Sequence, residues 1–288
     1  MTAPELISII MVTRHTGPVL EQAIASVLAQ RGTFEFILVN NGNSQEVESG
    51  LVERFKDSPN VRLMTGHGDI GLVPGRNLGA RVASGSHLLF VDDNCILPDD
   101  ALTTLCLEAE NKEKSFILAA RLVDEKGQEK ESSRLRVLTP LVAFINKLRL
   151  ASFLPAYQTS LYHTPLSEKT VPVPAVGGAF MLCAKTDFVG LKGFDEKYLM
   201  NLSVMDFCFN FNNKGGVVYF VPQLVVKQLK KDPASFDKEE ASRFVADHRR
   251  YFFENFADVY PQPILWALSL LYWGCFGAGI ALQRKSGV

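Results

Sequence analysis

The chain has 288 residues, 47% hydrophobic and 21% charged, which is ample material for a large core and carries no disorder signature. Its 30 Lys and Arg stand against 31 Asp and Glu, and a net charge of −1 offers no general attraction for nucleic acid. The 5 cysteines form no CxxC pair and are odd in number, which points to a reduced, cytoplasmic setting. The opening MTAPELISIIMVTR lacks a basic leader and a cleavage site, so no signal peptide is expected.

Leu6 to Val12 is a nearly continuous apolar run, as for a strand buried on both faces. Past Gly17, the residues Val19, Leu20, Ala23, Ile24, Val27 and Leu28 fall at helical spacing. Phe34 to Val39 reads as a second strand, closed by the turn signal Asn40-Asn41-Gly42. Val47, Leu51, Val52 and Phe55 mark one face of a second helix. Val61 to Met64 is a third strand, and His87 to Val91 a fourth that runs straight into Asp92-Asp93-Asn94. Pro98 is placed to open a helix, where its missing N–H costs nothing. This alternation predicts an α/β fold, a mostly parallel sheet flanked by helices. Ligands on such sheets sit beyond the carboxyl ends of the strands, which puts Thr13, Asn40, Asn41, Asp92 and Asn94 along one rim. Of the histidines, only His15 and His67 fall near it.

From 121 to 174 the pattern weakens. Lys130, Arg134, Arg136, Lys147 and Arg149 surround an apolar, helix-like stretch from Leu138 to Ile145. Two readings stand: a solvated connecting segment, or a basic surface for anionic lipid or diphosphate. Regular structure resumes at Val176, with a helix near 203–213 and closing strands at Val217–Val221 and Leu224–Lys227. Ser235 to Ala257 is a charged helix with Asp237 and Glu240 spaced as a capping box. The predicted organisation is a main domain over 1–230, whose halves 1–120 and 175–230 are joined by 121–174, and C-terminal helices over 231–288.

The stretch 264–282 has 19 residues without a charge, followed by Arg284 and Lys285. It is expected to associate with the cytoplasmic face of a membrane without crossing it, because a crossing would separate those cations from a cytoplasmic domain. Packing as a core helix or subunit contact is the alternative.

The strongest constellation is Phe90-Val-Asp-Asp-Asn-Cys-Ile-Leu-Pro-Asp. Acids at a strand's carboxyl end suit a divalent cation carrying a diphosphate, because Mg²⁺ and Mn²⁺ take oxygen ligands and keep substrate phosphates as partners. Acidic strand ends also serve as helix caps. No GxGxxG follows the first strand, which argues against a dinucleotide-dependent oxidoreductase. No nucleophile elbow or zinc-ligand spacing occurs.

Taken in order, ISIIMVT, ILVNNGNS, GLVPGRNLGARVASGSHLLFVDDN, VGGAFMLCAKTDF, GLKGFDEKYLM and MDFCFN resemble the family 2 glycosyltransferases of the GT-A (Rossmann-like) fold. The set is especially similar to the bacterial branch that includes rhamnosyltransferases of surface-polysaccharide assembly, and it spans residues 6 to about 228. The resemblance implies a nucleotide-sugar donor (UDP- or dTDP-linked), Mg²⁺ or Mn²⁺, inversion at the anomeric carbon, and a glycan or lipid-linked acceptor. It assigns Thr13 and Arg14 to the nucleotide and places Asn40 where the family reads the base with an Asp. Gly75, Arg76 and Asn77 match a turn beside the donor, and Asp92 and Asp93 lie on the donor side. Asp92 matches the first acid of a DXD metal motif, whose second acid is replaced by Asn94. Gly177 and Gly178 match glycines approached by sugar or acceptor. Asp195 and Glu196 fall on the acceptor side, where they also cap and brace a helix.

Two departures matter more. The family's acceptor helix carries Glu-Asp-x-Asp-Leu, and the Asp of its Glu-Asp pair is the general base. Aligned on Asp206, this chain puts Val204 at that position, and Gln228 near a family His. Asp206 lies about 200° away around a helix and substitutes only if the helix is shifted. A catalytically silent member, binding nucleotide sugar, glycan or a partner glycosyltransferase, is therefore the alternative to an active enzyme.

Overall fold

The computed structural model describes residues 6–14, 17–148, 150–198, 202–230 and 238–271. The apolar run at the start becomes β1 (Ile7–Thr13), buried along its whole length. It is flanked by β2 (Phe34–Asn40), β3 (Val61–Met64) and β4 (His87–Val91) in the parallel order β3-β2-β1-β4. The crossovers are α1 (Pro18–Leu28), α2 (Gln45–Phe55) and α3 (Leu72–Val82). Thr13 pairs in register with Asn40, so the two strands end level and form the rim.

Gly75-Arg76-Asn77, matched to a turn in the sequence, lies inside α3. Two glycines one helical turn apart allow this helix to approach β1 closely. A Cβ at Gly75 would sit 2.9 Å from Val12 Cγ1, and one at Gly79 only 2.5 Å from Ile10 Cγ2. Periodicity alone does not mark α3, because its buried face contains Gly75, Arg76, Asn77 and Gly79.

After β4 the chain forms β5 (Cys95–Ile96) and α4 (Ala101–Glu110). Pro98 does not open that helix. It stands three residues earlier, and its carbonyl accepts from Ala101 N at 3.1 Å and Gln30 Nε2 at 2.8 Å. β6 (Phe116–Val123), α5 (Pro140–Lys147), β7 (Val171–Pro172), β8 (Phe180–Ala184), α6 (Lys185–Gly190), α7 (Leu202–Asn213), β9 (Val217–Gln228) and α8 (Lys238–Phe256) complete the chain. β8 inserts antiparallel between β4 and β6, and β9 runs parallel to β6. The two closing strands expected from sequence are one strand, interrupted by a register shift opposite Ala120 and Arg121.

Part of the segment between β6 and β8 is packed into the fold. Arg134 is buried and grips Glu129 with two hydrogen bonds of 2.8 and 3.2 Å. It also donates to Thr164 Oγ1 at 2.9 Å and lies 5.3 Å from the Phe220 ring. At the other end, α8 and a helical run over 262–271 bring Tyr251, Phe252, Leu265 and Leu268 into the core cluster that includes α5 and α7. No described helix is long and apolar enough to cross a membrane. The apolar segment expected to contact one extends past 271 and lies largely outside the described residues, as does Asp237 of the capping box.

The contact of α3 with β1 gives a stability prediction. Gly79→Ala should destabilise the protein by about 1–3 kcal/mol through overpacking against Ile10. Gly50→Ala, in α2 with open space around it, should instead stabilise by roughly 0.5–1 kcal/mol. Urea unfolding midpoints of the two variants would move in opposite directions; a shared direction would refute the close-approach argument.

Candidate active site

At the rim, the ends of β1 and β2 are closed by an amide network. Asn40 Nδ2 donates to Glu48 Oε2 at 3.1 Å and Thr65 Oγ1 at 3.2 Å, while its Oδ1 accepts from Asn43 Nδ2 at 2.8 Å. The carbonyl expected to read a base is thus already engaged within the protein. Asn41 Nδ2 donates to Asp69 Oδ1 at 2.9 Å, and Arg14 pairs with Asp69 at 3.1 Å on the exposed edge. Gly42 has φ +83°, and a Cβ there would lie 2.6 Å from Asp69 Cβ, so the turn accepts only glycine. Thr13 is buried beneath this network and lends its carbonyl to Asn41 N at 2.8 Å.

The centre of the site is Arg76. Its guanidinium is buried, and Nη2 donates to Asp92 Oδ1 at 2.7 Å and to the Gly178 carbonyl at 2.8 Å. Asp92, at the end of β4, keeps 21% of its side chain exposed. Asn94, two residues on, donates to the Leu229 carbonyl at 2.6 Å, and its Oδ1 is buried without a hydrogen bond among the described residues. Asp93 and Asn94 are both buried, and neither lines the cavity that Arg76 and Asp92 open onto.

That cavity, about 400 Å³, is lined by Arg76, Asp92, Gly177, Gly178, Gln228 and Met205, and by Asp247 and His248 of α8. The two glycines are required by the protein itself. A Cβ on Gly177 would lie 2.5 Å from the Ser132 carbonyl oxygen, and one on Gly178 would lie 2.6 Å from Val204 Cγ2. Val204 is therefore packed against the cavity floor, an apolar wedge where the resemblance places a base.

Four sequence-matched residues go elsewhere. Asp206 accepts from Tyr198 Oη at 3.1 Å, Asn255 Nδ2 at 2.6 Å and Asn210 Nδ2 at 3.1 Å. Burial pushes its pKa up, outweighing the lowering by those donors. It lines a different cavity, together with Asn77, Asp195 and Glu196. Asn77 Nδ2 donates to the Phe194 carbonyl at 2.8 Å and Glu196 Oε1 at 3.0 Å, and its Oδ1 accepts from Phe194 N at 3.1 Å. Asn77 and Glu196 brace α3 against the loop before α7, and none of the four lines the Arg76–Asp92 cavity.

Sequence reasoning missed Asp247 and His248. A signal was present: Phe244, Asp247, His248, Tyr251 and Phe252 share one helical stripe, so Asp247 is a carboxylate among aromatic side chains. His67 is partly buried near the rim, and His15 lies outside the described residues.

Whether this donor set fits a divalent cation turns on Asp92 and Asn94. Asp92 Oδ2 takes no hydrogen bond among the described residues, and the orphaned Oδ1 of Asn94 is an oxygen with nothing to accept from. Both suit a hard cation in kind. Asn94 does not itself line the cavity, and among the described residues no group of three His, Cys, Asp or Glu stands together.

His248 gives the site a pH signature. Burial pushes its pKa down to about 4, and Lys147 adds to the effect against a hydrogen bond from Nδ1 to the Phe244 carbonyl. The folded form therefore disfavours protonation. Its contribution is present above the unfolded value of about 6.5 and is lost as pH falls towards 4, amounting to about 3 kcal/mol across the window. Urea unfolding at pH 7 and at pH 4.5 should show His248→Gln losing less stability between the two than the parent does. An equal loss would sink this assignment.

Residues 8–166 match the family model described as "Glycosyl transferase family 2". The N-acetylglucosaminyl-diphospho-decaprenol L-rhamnosyltransferase of Mycobacterium tuberculosis is 25% identical over 282 residues, covering 92% of this chain and 89% of its own. The rhamnosyltransferase WbbL of Escherichia coli K12 is 28% identical over 142 residues, 49% of this chain and 52% of WbbL. Among solved structures, GalNAc-T7 with UDP, GalNAc and Mn²⁺ superposes with a TM-score of 0.63 at 16% identity, over 94% of this chain and 54% of that one. Staphylococcus aureus TarS (residues 1–349) gives a TM-score of 0.58 at 13% identity, over 92% of this chain and 70% of TarS. The family match covers more than half of the chain and the architecture is that of the GT-A fold: this protein belongs to glycosyl transferase family 2.

Proposed function

We propose that the chain transfers a sugar from a UDP- or dTDP-linked donor to a lipid-linked glycan acceptor in polysaccharide assembly, at the inner face of the cell membrane. The observation that carries this reading is one cavity holding the Arg76–Asp92 pair and a second carboxylate, Asp247. The acceptor class follows the decaprenol-linked substrate named for the mycobacterial relative.

Thr13 and Arg14 lie at the rim where the nucleoside would sit. Asp92 and Asn94 would hold a divalent cation, Mg²⁺ or Mn²⁺, which when bound neutralises the departing diphosphate. Arg76 adds a fixed positive charge in a low-dielectric setting, so part of that stabilisation is built into the protein. Val204 accepts no proton and Asp206 is engaged elsewhere. Asp247 lines the cavity and would take the proton from the acceptor hydroxyl as its oxygen attacks the anomeric carbon and the bond to the diphosphate breaks. Attack from the face opposite the leaving group inverts that carbon.

A second reading is favoured by Val204: a silent member that binds nucleotide sugar, glycan or a partner transferase. Calorimetry with UDP and dTDP, with and without Mn²⁺, should show metal-strengthened binding that Asp92→Ala weakens more than Asn94→Ala does. In a transfer assay with lipid-linked acceptor, Asp247→Asn should lower turnover by about 10²–10⁴-fold while nucleotide binding stays intact. Binding without turnover in the parent supports the silent member. No nucleotide binding at millimolar ligand sinks both readings.

A further inference from the structure

We infer that α5 and the turn after it, residues 141–148 and 150–154, form a face that rests on an anionic lipid bilayer. A solvated surface helix keeps polar residues on its outer side. α5 does not. Val142, Ala143 and Ile145 are buried in the core, while Leu141, Phe144 and Leu148, at helical spacing on the other side, are 41–45% exposed. The chain continues through 3₁₀ turns at Leu150–Ser152 and Pro155–Tyr157, and Leu150 in the first turn and Phe153 and Leu154 between the two are exposed. Phe153 is 82% exposed.

This exposure is built, not a frayed end. Leu154 N donates to the Leu150 carbonyl at 3.1 Å, and Asn146 Nδ2 donates to the Tyr157 carbonyl at 2.6 Å. A clustered apolar surface of this kind marks an interaction site.

Charge selects the occupant. From residue 132 to residue 167 the chain has no Asp or Glu, yet it carries Arg134, Arg136, Lys147 and Arg149. Arg134 bonds Glu129; along the sequence Arg136 precedes the apolar stretch and Lys147 and Arg149 fall within it, Arg149 lying outside the described residues. Apolar groups that insert at the headgroup boundary, beside cations that meet anionic lipid, are the pairing a bilayer surface recognises. The same segment forms a wall of the reaction cavity, since Leu138, Asn146 and Thr159 line it. Resting on the acceptor class proposed above, this placement lets a lipid carrier present its head group to the cavity while its tail stays in the bilayer.

The test is co-sedimentation of the full chain with phosphatidylcholine vesicles, with and without phosphatidylglycerol. The expected result is binding that needs the anionic lipid, weakens with salt, and drops about tenfold in Phe153→Asp and further in Phe144→Asp/Leu148→Asp/Phe153→Asp. Phe153 supports no core contact that would unfold the single variant. Unchanged vesicle binding in both variants overturns the proposal, as does a parent that binds no vesicles. A dimer or protein complex that Phe153→Asp dissolves in light scattering, with vesicle binding untouched, overturns it in favour of a protein partner. Nucleotide calorimetry on the same samples separates the two ideas: lost nucleotide binding with intact vesicle binding removes the transfer reading and leaves the lipid face standing.

Discussion

The guanidinium of Arg76 is the constraint around which the site is arranged. One nitrogen serves Asp92 at 2.7 Å and the Gly178 carbonyl at 2.8 Å, tying α3, the end of β4 and the approach to β8 to one point. The cation reaches that depth because Gly75 and Gly79 let α3 lie against β1. A buried arginine is costly unless its hydrogen bonds are met, and removing one partner of such a pair typically costs about 3–5 kcal/mol. Asp92 is partly exposed, so solvent screens the pair and the lower part of that range applies.

The same close packing explains the form of the cavity floor. Gly178 has no room for a Cβ because Val204 on one side and Arg76 on the other already occupy that space. A carboxylate at Val204 would be held against buried apolar neighbours and beside the guanidinium, in competition with Asp92. The valine instead seals the floor. The opposite side of α7 is polar: Asp206 gathers Tyr198, Asn210 and Asn255, and so locks α7 to α8. Through that lock α8 is oriented, and with it Asp247 and His248 on the cavity wall.

The connecting segment obeys a similar logic. Arg134 and Glu129 are both nearly inaccessible and bonded twice to each other. This fixes a stretch with few regular elements of its own, and it lets α5 turn one apolar face to the core and another outward.

Much of this was legible in the sequence where periodicity is local. The apolar run of β1, the strands at Val61–Met64 and His87–Val91, and the helix near 203–213 follow from side-chain alternation or 3.6-residue spacing, which neighbouring residues enforce by themselves. The ordered motifs were enough to identify family and fold. What the sequence could not decide depends on contacts between distant segments. α3 was hidden because its buried face is made of glycine, arginine and asparagine, whose partners lie on β1, β4 and the loop before α7. Asn77, Asp195, Glu196 and Asp206 read as site residues by motif, and tertiary packing gathers them around a cavity separate from that of Arg76 and Asp92. Asp247 and His248 enter the cavity from a helix some 150 residues beyond Asp92, and only the folding of α8 over the sheet brings them together. Local patterns report which face of an element is buried; which charged side chain meets which is settled only when the chain closes on itself.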